Sequence, residues 1–424
     1  METNIYSSID QIYRRFSETG IISTDSRQDT NHSVFFALKG SAFDGNTYAE
    51  AALEKGATYA VIDSTEVYCK SKRKERLLLV KDVLIALQDV ALYHRKALSI
   101  PIIAIVGSNG KTTTKELVRE VLSKKYHVKA TIGNLNNAIG VPITLLGFNK
   151  DTEIGIVEMG ASAQGEISTL CHIAQPDYGI ITNIGRAHLE GFHGIEGIKK
   201  GKGELYDALQ KDGGMAFVPK EDSTLMTMFL QRKELNGYVY SRKEWEDVPS
   251  LLSGAYNRYN IASAAAVGTF FGVERKDIYS AVEKYQPTNN RSEIFHGKEN
   301  DLLIDCYNAN PSSMEASIEN FLSIERKRKV MILGDMKELG EWSRDEHIKI
   351  LERVARSDVK RIFTVGENFL NVSHEVRFKE GTTFRNFSTI EEFIAVLPVL
   401  EFKESFIFLK GSHSIGLEKL KEIL

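Results

Sequence analysis

Cysteine is scarce in this chain: three in 424 residues, Cys69, Cys171 and Cys306, far apart and in no paired spacing. That excludes a disulfide framework and a cysteine-built zinc site, and it is the usage of a reducing compartment. Neither sign of charge is in excess. Lys and Arg number 54 against 57 Asp and Glu, a formal net charge of −3, so no basic surplus points to nucleic acid and no acidic surplus to disorder. No apolar run approaches the roughly 20 residues a bilayer-spanning helix needs. Met1-Glu2-Thr3-Asn4-Ile5 shows no basic segment leading into an apolar stretch, so no signal peptide is expected and the expected compartment is the cytoplasm. Internal repeats and low-complexity segments are missing too. What remains is an apolar fraction of 42%, enough for buried cores, in a length that suggests two to four domains.

One stretch carries the most chemistry. The apolar run Ile102-Ile103-Ala104-Ile105-Val106 reads as a buried strand, stops at Gly107, and leads through Ser108-Asn109-Gly110 into Lys111-Thr112-Thr113. The residues after it have helical spacing. Strand, glycine loop, and Lys-Thr opening a helix are the layout of a phosphate cradle. Small residues let backbone N–H groups approach a phosphate, and the helix N-terminus adds partial positive charge. Lys111 can reach terminal phosphates and the Thr112 hydroxyl can ligate magnesium. The general P-loop pattern has a glycine where Ile105 stands. A bare strand-to-helix turn with a surface lysine is the alternative.

Around this unit the chain divides. Val34–Leu38, Tyr59–Ile62 and Leu77–Val80 read as strands, with helices over Tyr48–Lys55 and Asp82–Ala97. The basic run Lys70–Arg76 reads as a solvated loop. Pro101 precedes the phosphate-binding unit, which puts a first boundary after residue 98. Strands at Glu153–Glu158, Tyr178–Thr182 and Gly214–Val218 then alternate with helices, the pattern of a mostly parallel sheet covered on both faces. The polar stretch Tyr285–Arg291 breaks it, and a second boundary is set after residue 288. Beyond it, strands at Leu302–Asp305, Val330–Asp335, Arg361–Gly366 and Ser405–Gly411 give a Rossmann-like pattern with functional groups expected at the strand carboxyl ends. The expected fold is α/β in three domains: 1–98, a small α/β unit; 99–288, a central P-loop unit with a mostly parallel sheet; and 289–424, Rossmann-like.

Several residues at strand ends could join the phosphate site. Glu158 ends a strand and can hold magnesium, or cap a helix. His188 follows the strand ending at Thr182. Lys202, in Lys199-Lys200-Gly201-Lys202, reads by spacing alone as part of a basic solvated turn. Asn257 and Asn260 precede an alanine-rich helix. Their amides suit an adenine edge, and Asn257 also suits a helix cap. Three polar loops, at Asp305-Cys306-Tyr307-Asn308-Ala309-Asn310, at Asp335-Met336-Lys337-Glu338 and at Lys410-Gly411-Ser412-His413, read as one wall of a ligand cleft, though each alone could be turn chemistry.

Taken in order, Gly107–Thr113, Gly133-Asn134-Leu135-Asn136-Asn137-Ala138-Ile139-Gly140-Val141-Pro142, Glu158-Met159-Gly160-Ala161 and Ala187-His188-Leu189-Glu190-Gly191-Phe192 resemble the Mur ligase family, over nearly the whole chain. Tyr307–Met314 and Leu333–Glu341 narrow the likeness to the family's dipeptide-adding member. The resemblance implies an amino-terminal domain for the UDP end of the substrate, a central ATPase and a carboxyl-terminal ligase domain. It implies ATP and magnesium, with two ions, as cofactors, UDP-N-acetylmuramoyl-tripeptide and D-alanyl-D-alanine as partners, and a monomer. The implied reaction passes through an acyl phosphate. Lys111 and Thr112 would hold phosphates and a first magnesium with Glu158. His188 would ligate a second, and Lys202 falls where the family carries a carbamylated lysine. That reverses its bland reading, because a free ammonium with a pKa of about 10.4 is a poor metal ligand. Asn257 and Asn260 match adenine-side asparagines, and Arg291 a hinge arginine, here preceded by Asn290 where glycine is common. Asp305 and Tyr307 would face the nucleotide, and Asn308 and Asn310 the dipeptide. Ser26, Arg27, Asp44 and Asn46 fall where the UDP-sugar end binds. Asn134, Asn136, Asn137, Asp335 and Lys410 complete the expected substrate set. His413 stands where the family usually has arginine or asparagine. The competing expectations are another ATP-dependent amide ligase, adding diaminopimelate, lysine or glutamate, and a P-loop kinase or NTPase.

Overall fold

The computed structural model describes residues 5–286 and 293–424. The amino-terminal segment holds α1 (Ile9–Thr19), β1 (Ile22–Ser23), β2 (Val34–Phe36), α2 (Ala49–Glu54), β3 (Tyr59–Ile62), α3 (Thr65–Lys70), β4 (Leu77–Leu79) and α4 (Val83–Leu98). Its four strands are all parallel, in the order β1-β2-β3-β4. Local chemistry sets the helix limits. Ser8 and Gln11 form a capping box ahead of α1, and Gly20 closes it in the left-handed conformation. The Asp82 side chain accepts from Ile85 N at the start of α4. The basic run is less of a loop than its composition suggests. Lys70 ends α3, and Arg76 turns inward to the carbonyls of Ala57 and Thr58.

The α4 helix joins this segment to the next. His94 Nε2 lies 2.8 Å from Phe148 O, and Arg95 donates to Ala174 O at 3.0 Å and to Asp177 at 2.8 Å. Buried polar groups paired in this way fix one orientation, because leaving any of them unpaired costs about 1–3 kcal/mol.

The central segment runs β5 (Ile102–Val106), α5 (Lys111–Leu122), β6 (Val128–Ala130), α6 (Gly140–Leu146), β7 (Ile154–Glu158), α7 (Glu166–Ala174), β8 (Tyr178–Ile181), α8 (Leu189–Phe192), α9 (Ile195–Asp212), β9 (Met215–Pro219), α10 (Ser223–Leu230), β10 (Asn236–Tyr240), α11 (Ala255–Phe270) and α12 (Arg275–Lys284). Its sheet is parallel throughout, in the order β10-β9-β8-β5-β7-β6. Strands β5 and β7 are buried along their whole length, as continuous apolar runs demand when helices cover both faces.

The carboxyl-terminal segment holds β11 (Glu293–His296), β12 (Asp301–Asp305), α13 (Pro311–Ser323), β13 (Lys329–Gly334), α14 (Ser343–Ala355), β14 (Arg361–Val365), α15 (Glu367–Val372), β15 (Thr383–Phe387), α16 (Ile390–Leu400) and β16 (Phe406–Lys410). The strand order is β11-β12-β16-β13-β14-β15, with β11 antiparallel at one edge and the rest parallel. One apolar core runs from Ile12 on α1 through Val106 and Val157 to Phe321 and Phe408. Residues at the carboxyl ends of strands from the second and third sheets line a common cleft.

Candidate active site

Because β5 is flanked by β7 and β8, the residues just beyond these three strands are brought together. Met159 N bonds Ile105 O at 2.9 Å and Thr182 N bonds Val106 O at 2.9 Å. Gly107, with φ 148°, passes so close to Thr182 that a Cβ would lie 1.9 Å from its Oγ1. Only glycine fits there. Gly110, with φ 77°, sits at the N-cap of α5 and supplies no capping side chain. The first-turn N–H groups of α5 are thus left to an anion, with the helix dipole behind them. The loop is locked from the side: Thr182 Oγ1 and Asn183 Nδ2 donate to Asn109 O at 2.5 and 2.9 Å, and Ser108 Oγ donates to Gly185 O at 2.9 Å. Lys111 Nζ folds back over the loop to Gly107 O at 2.7 Å.

Glu158, 2% exposed, ends β7 beside this loop. Its Oε1 accepts from Asn136 Nδ2 at 2.8 Å, while Oε2 is buried with no hydrogen-bond partner. The nearest cation to Oε2 is Lys115 Nζ, 4.0 Å away. Lys115 is completely buried; it donates to Thr131 O at 2.6 Å and pairs with Glu116 at 2.9 Å. Thr131 closes the circuit, since its hydroxyl accepts from Glu158 N at 2.9 Å. Sequence reading missed Lys115, although a lysine three and seven residues before Val118 and Leu122 lies on the buried stripe of α5 and could have been noticed.

Lys202 does not lie in a solvated turn. It is 1% exposed on α9, its Nζ donates to Ala161 O at 2.9 Å, and it sits 4.8 Å from the centre of the Phe192 ring. Burial, and then the positive charge of Lys111, push its pKa well below the ordinary ammonium value. The basic composition of Lys199–Lys202 concealed this, because the α-helix buries only one of the three lysines in that stretch. His188 lines the cleft, and the Glu338 carboxylate of the carboxyl-terminal domain lies against its Nδ1, in ion-pair range without an aligned hydrogen bond. The histidine ring holds the Glu338 carboxyl below its usual range. Both residues have left-handed backbones, φ 55° and 61°, a strained conformation that concentrates at functional sites.

The cleft has a volume of about 1360 Å³. Of the candidate residues it brings together Ser108 to Thr113, Asn134, Asn136, Asn137, Glu158, His188, Asn257, Asn260, Asp305, Tyr307, Asn308 and Lys410. Asn257 and Asn260 lie at the start of α11, and Asn260 is also structural: it accepts from Thr114 Oγ1 at 3.1 Å and donates to Asn257 Oδ1 at 2.9 Å. Asn137 caps α6 through Gly140 N at 2.9 Å. On the facing wall, Asp305 and Lys410 end neighbouring strands in register and pair at 2.9 Å. Lys410 Nζ also donates to Asn308 O at 2.9 Å. The Tyr307 ring is stacked near His413 at 6.2 Å between centres.

Other candidates are placed elsewhere. Asp335 is fully buried outside the cleft, and its carboxylate accepts from Asn368 N at 2.9 Å and Phe369 N at 3.0 Å, capping α15. From the same loop it is Glu338 that reaches the cleft. Asn310 caps α13 and bonds Asn109. Ser26, Arg27, Asp44 and Asn46 belong to the amino-terminal domain. Arg27 is exposed and paired with Asp25 at 2.8 Å, whereas Asn46 is buried and engaged with Asp44 and Asp63. Arg291 lies outside the described residues. Among the described residues no three of histidine, cysteine, aspartate and glutamate come together as a ready metal cage, and no helix is long and apolar enough to cross a membrane.

Comparison with known proteins finds one family along the chain. Residues 18–95 match the model of the Mur ligase family catalytic domain, 105–248 the Mur ligase middle domain, and 290–413 the Mur ligase glutamate ligase domain. The chain is 30% identical to UDP-N-acetylmuramoyl-tripeptide–D-alanyl-D-alanine ligase of Bacillus subtilis, over 94% of this chain and 92% of that one. It is similar in structure to MurF of Acinetobacter baumannii (TM-score 0.81, 30% identity, 94% and 92% of the two chains covered). It is also similar to MurF ligase of Thermotoga maritima in complex with ADP (TM-score 0.80, 26% identity, 96% and 97% covered).

Proposed function

The chain belongs to the Mur ligase family, and from that membership we propose that it joins D-alanyl-D-alanine to UDP-N-acetylmuramoyl-tripeptide in an ATP-driven step of cell-wall peptidoglycan synthesis. The observation that carries this reading is a single cleft that holds both halves of such a reaction. On one wall are the uncapped N-terminus of α5, Lys111 and buried Glu158. On the other, the polar ends of β12 and β16 come from a separate domain. The likeness to a MurF that binds ADP supports it.

The chemistry explains why both walls are needed. A peptide carboxylate is a poor acyl donor, because its leaving group would be oxide. Transfer of the γ-phosphoryl group of ATP gives an acyl phosphate with a good leaving group, and the amine of the dipeptide then attacks the carbonyl carbon and expels phosphate. The first step brings two anions together, so positive charge must stand between them. In this reading the N–H groups of α5 and Lys111 bind the phosphates, and Asp305, Tyr307, Asn257 and Asn260 surround the nucleotide. Asn308 and Lys410 lie toward the dipeptide. Ser26, Arg27, Asp44 and Asn46 serve the UDP end, with Asn46 holding the loop rather than touching the ligand.

The residues present fit magnesium. Glu158 offers a buried oxygen with no hydrogen bond of its own, and Thr112 offers a hydroxyl. One carboxylate and one hydroxyl make an incomplete shell, so the ion would be held together with the phosphates. Magnesium supplies charge neutralisation between the two anions when bound. His188 and Lys202 are assigned to a second ion. For Lys202 the buried site favours the neutral amine, which is the form that takes up carbon dioxide as a carbamate. The substrates go with a cytoplasmic enzyme, divided at residues 98 and 288.

The test is phosphate release from ATP in the presence of UDP-N-acetylmuramoyl-tripeptide, with D-alanyl-D-alanine or single amino acids added in turn. Release that requires the dipeptide is expected. Release indifferent to it would make the protein an NTPase or kinase, and release with a single amino acid would make it a different amide ligase.

A further inference from the structure

Two loops of the phosphate site, 107–110 and 182–188, are touched by the first turn of α13, which belongs to the carboxyl-terminal domain. Asn310 Nδ2 donates to Asn109 Oδ1 at 2.7 Å, and the return bond from Asn109 Nδ2 to Asn310 Oδ1 is 3.4 Å. Two residues on, Ser312 Oγ accepts from Arg186 N at 2.9 Å. The approach is tight: a Cβ on Gly185 would lie 3.0 Å from Ser312 Oγ and 3.1 Å from Asn109 Nδ2. Asn109 thus has two sets of partners. Its backbone is fixed from within the central domain, through Thr182 and Asn183. Its side-chain amide is fixed from the carboxyl-terminal domain. Asn310 is likewise divided, because its Oδ1 also accepts from Ser313 N at 2.9 Å as the cap of α13.

We propose that Asn109 and Asn310 are a positioning pair that makes the working geometry of the phosphate loop conditional on the seating of the carboxyl-terminal domain. An amide pair suits this task. Each amide offers a donor and an acceptor, so the pair closes two reciprocal bonds only when the two groups face each other in complementary sense, NH2 to carbonyl. It carries no net charge to disturb a bound polyphosphate. Its worth is that of a buried neutral hydrogen bond, roughly three- to tenfold in an equilibrium or rate constant. Loop and α13 then order together, and the nucleotide wall and the acceptor wall of the cleft are assembled in one step. The proposal rests on the ligase reading in taking loop 107–110 as the phosphate site.

The test uses the full-length chain as N109A, N310S and the double variant. Serine caps a helix about as well as asparagine but has no amide, so N310S separates the clasp from the cap. Each single variant is expected to lower kcat roughly three- to tenfold, with the KM for ATP and the melting temperature of N310S little changed. The double variant is expected to be no slower than the slower single, since both changes remove the same contact. Multiplicative losses, or N310S turning over like wild type, would overturn the pairing. If N310S proves unstable, N109A carries the test, because it leaves the cap intact. A second readout does not depend on turnover. In wild type, ADP is expected to slow amide exchange over residues 310–316, and N109A to abolish that slowing. An unresponsive α13 in wild type overturns the proposal, whereas a responsive α13 without ligase turnover overturns only the ligase reading.

Discussion

Replacing Lys115 by methionine keeps most of an unbranched apolar stem and removes the ammonium group, its charge and its hydrogen-bond donors together. In wild type the ammonium is completely buried, 2.6 Å from Thr131 O and 4.0 Å from the unpartnered Oε2 of Glu158. The substitution therefore leaves the buried carboxylate without the ammonium 4.0 Å away and the buried carbonyl without the lysine donor. Two unit charges at that separation interact by about 4 kcal/mol at the effective dielectric of roughly 20 that describes protein sites. The orphaned carbonyl adds about 1–3 kcal/mol, and relaxation and water entry return part of the total. Removal of one partner of a buried pair typically costs about 3–5 kcal/mol, and we take that range. Glu116 contributes little, because its side chain is 19% exposed and can be hydrated. For a unit the size of the central domain, about 2–4 °C per kcal/mol gives a fall of roughly 6–20 °C in its melting temperature. A three-domain chain need not melt in one step. Scanning calorimetry should therefore follow the transition that ADP displaces upward, which reports the nucleotide-binding domain. The companion variant K115M/E158Q removes the stranded charge and should melt above K115M. A fall of less than about 2 °C in K115M, or a double variant no better than the single, would refute the idea that Lys115 compensates Glu158.

Lys111→Ala should cost about 3 kcal/mol of transition-state stabilisation, seen as a fall of 10²–10³-fold in kcat; turnover near that of wild type would remove Lys111 from the site. Lys202 binds its proton less tightly in the folded protein than in the unfolded chain. Between its depressed value and about 10.4, stability therefore rises with pH. In carbon dioxide-free buffer the melting-temperature gap between wild type and Lys202→Met should move in favour of wild type from about pH 7 to about pH 10, and a pH-independent gap would contradict the buried amine. Asp335→Ala removes the cap of α15 and should destabilise the carboxyl-terminal domain by about 1–3 kcal/mol while leaving the KM for the dipeptide little changed. A raised KM at unchanged stability would make Asp335 a substrate contact after all.

Strand ends were the legible part of this chain. Ile102–Val106, Glu153–Glu158, Leu302–Asp305 and Ser405–Gly411 read as strands because strands buried on both faces are apolar along most of their length. The residues that stop them point at the cleft for the same reason. Local sequence could not tell Asp335 from Glu338. Both are acids after β13, and which one turns inward depends on α15, whose N–H groups Asp335 caps. Composition misread Lys202 as solvated; its burial is set by Phe192 and Ala161, which come from other elements. Asn310 was assigned to the dipeptide, and its bond to Asn109 joins residues 201 positions apart. A contact between domains leaves no periodicity or spacing to read.

The central claim is that the tripeptide carboxylate is activated as an acyl phosphate. The measurement that tests it most directly labels that terminal carboxylate with oxygen-18, runs the reaction with ATP and D-alanyl-D-alanine, and weighs the phosphate released. Phosphate carrying one oxygen-18 atom is expected, because the carboxylate oxygen that attacks the γ-phosphorus leaves with it when the amine arrives. Unlabelled phosphate formed alongside the amide product would contradict the account.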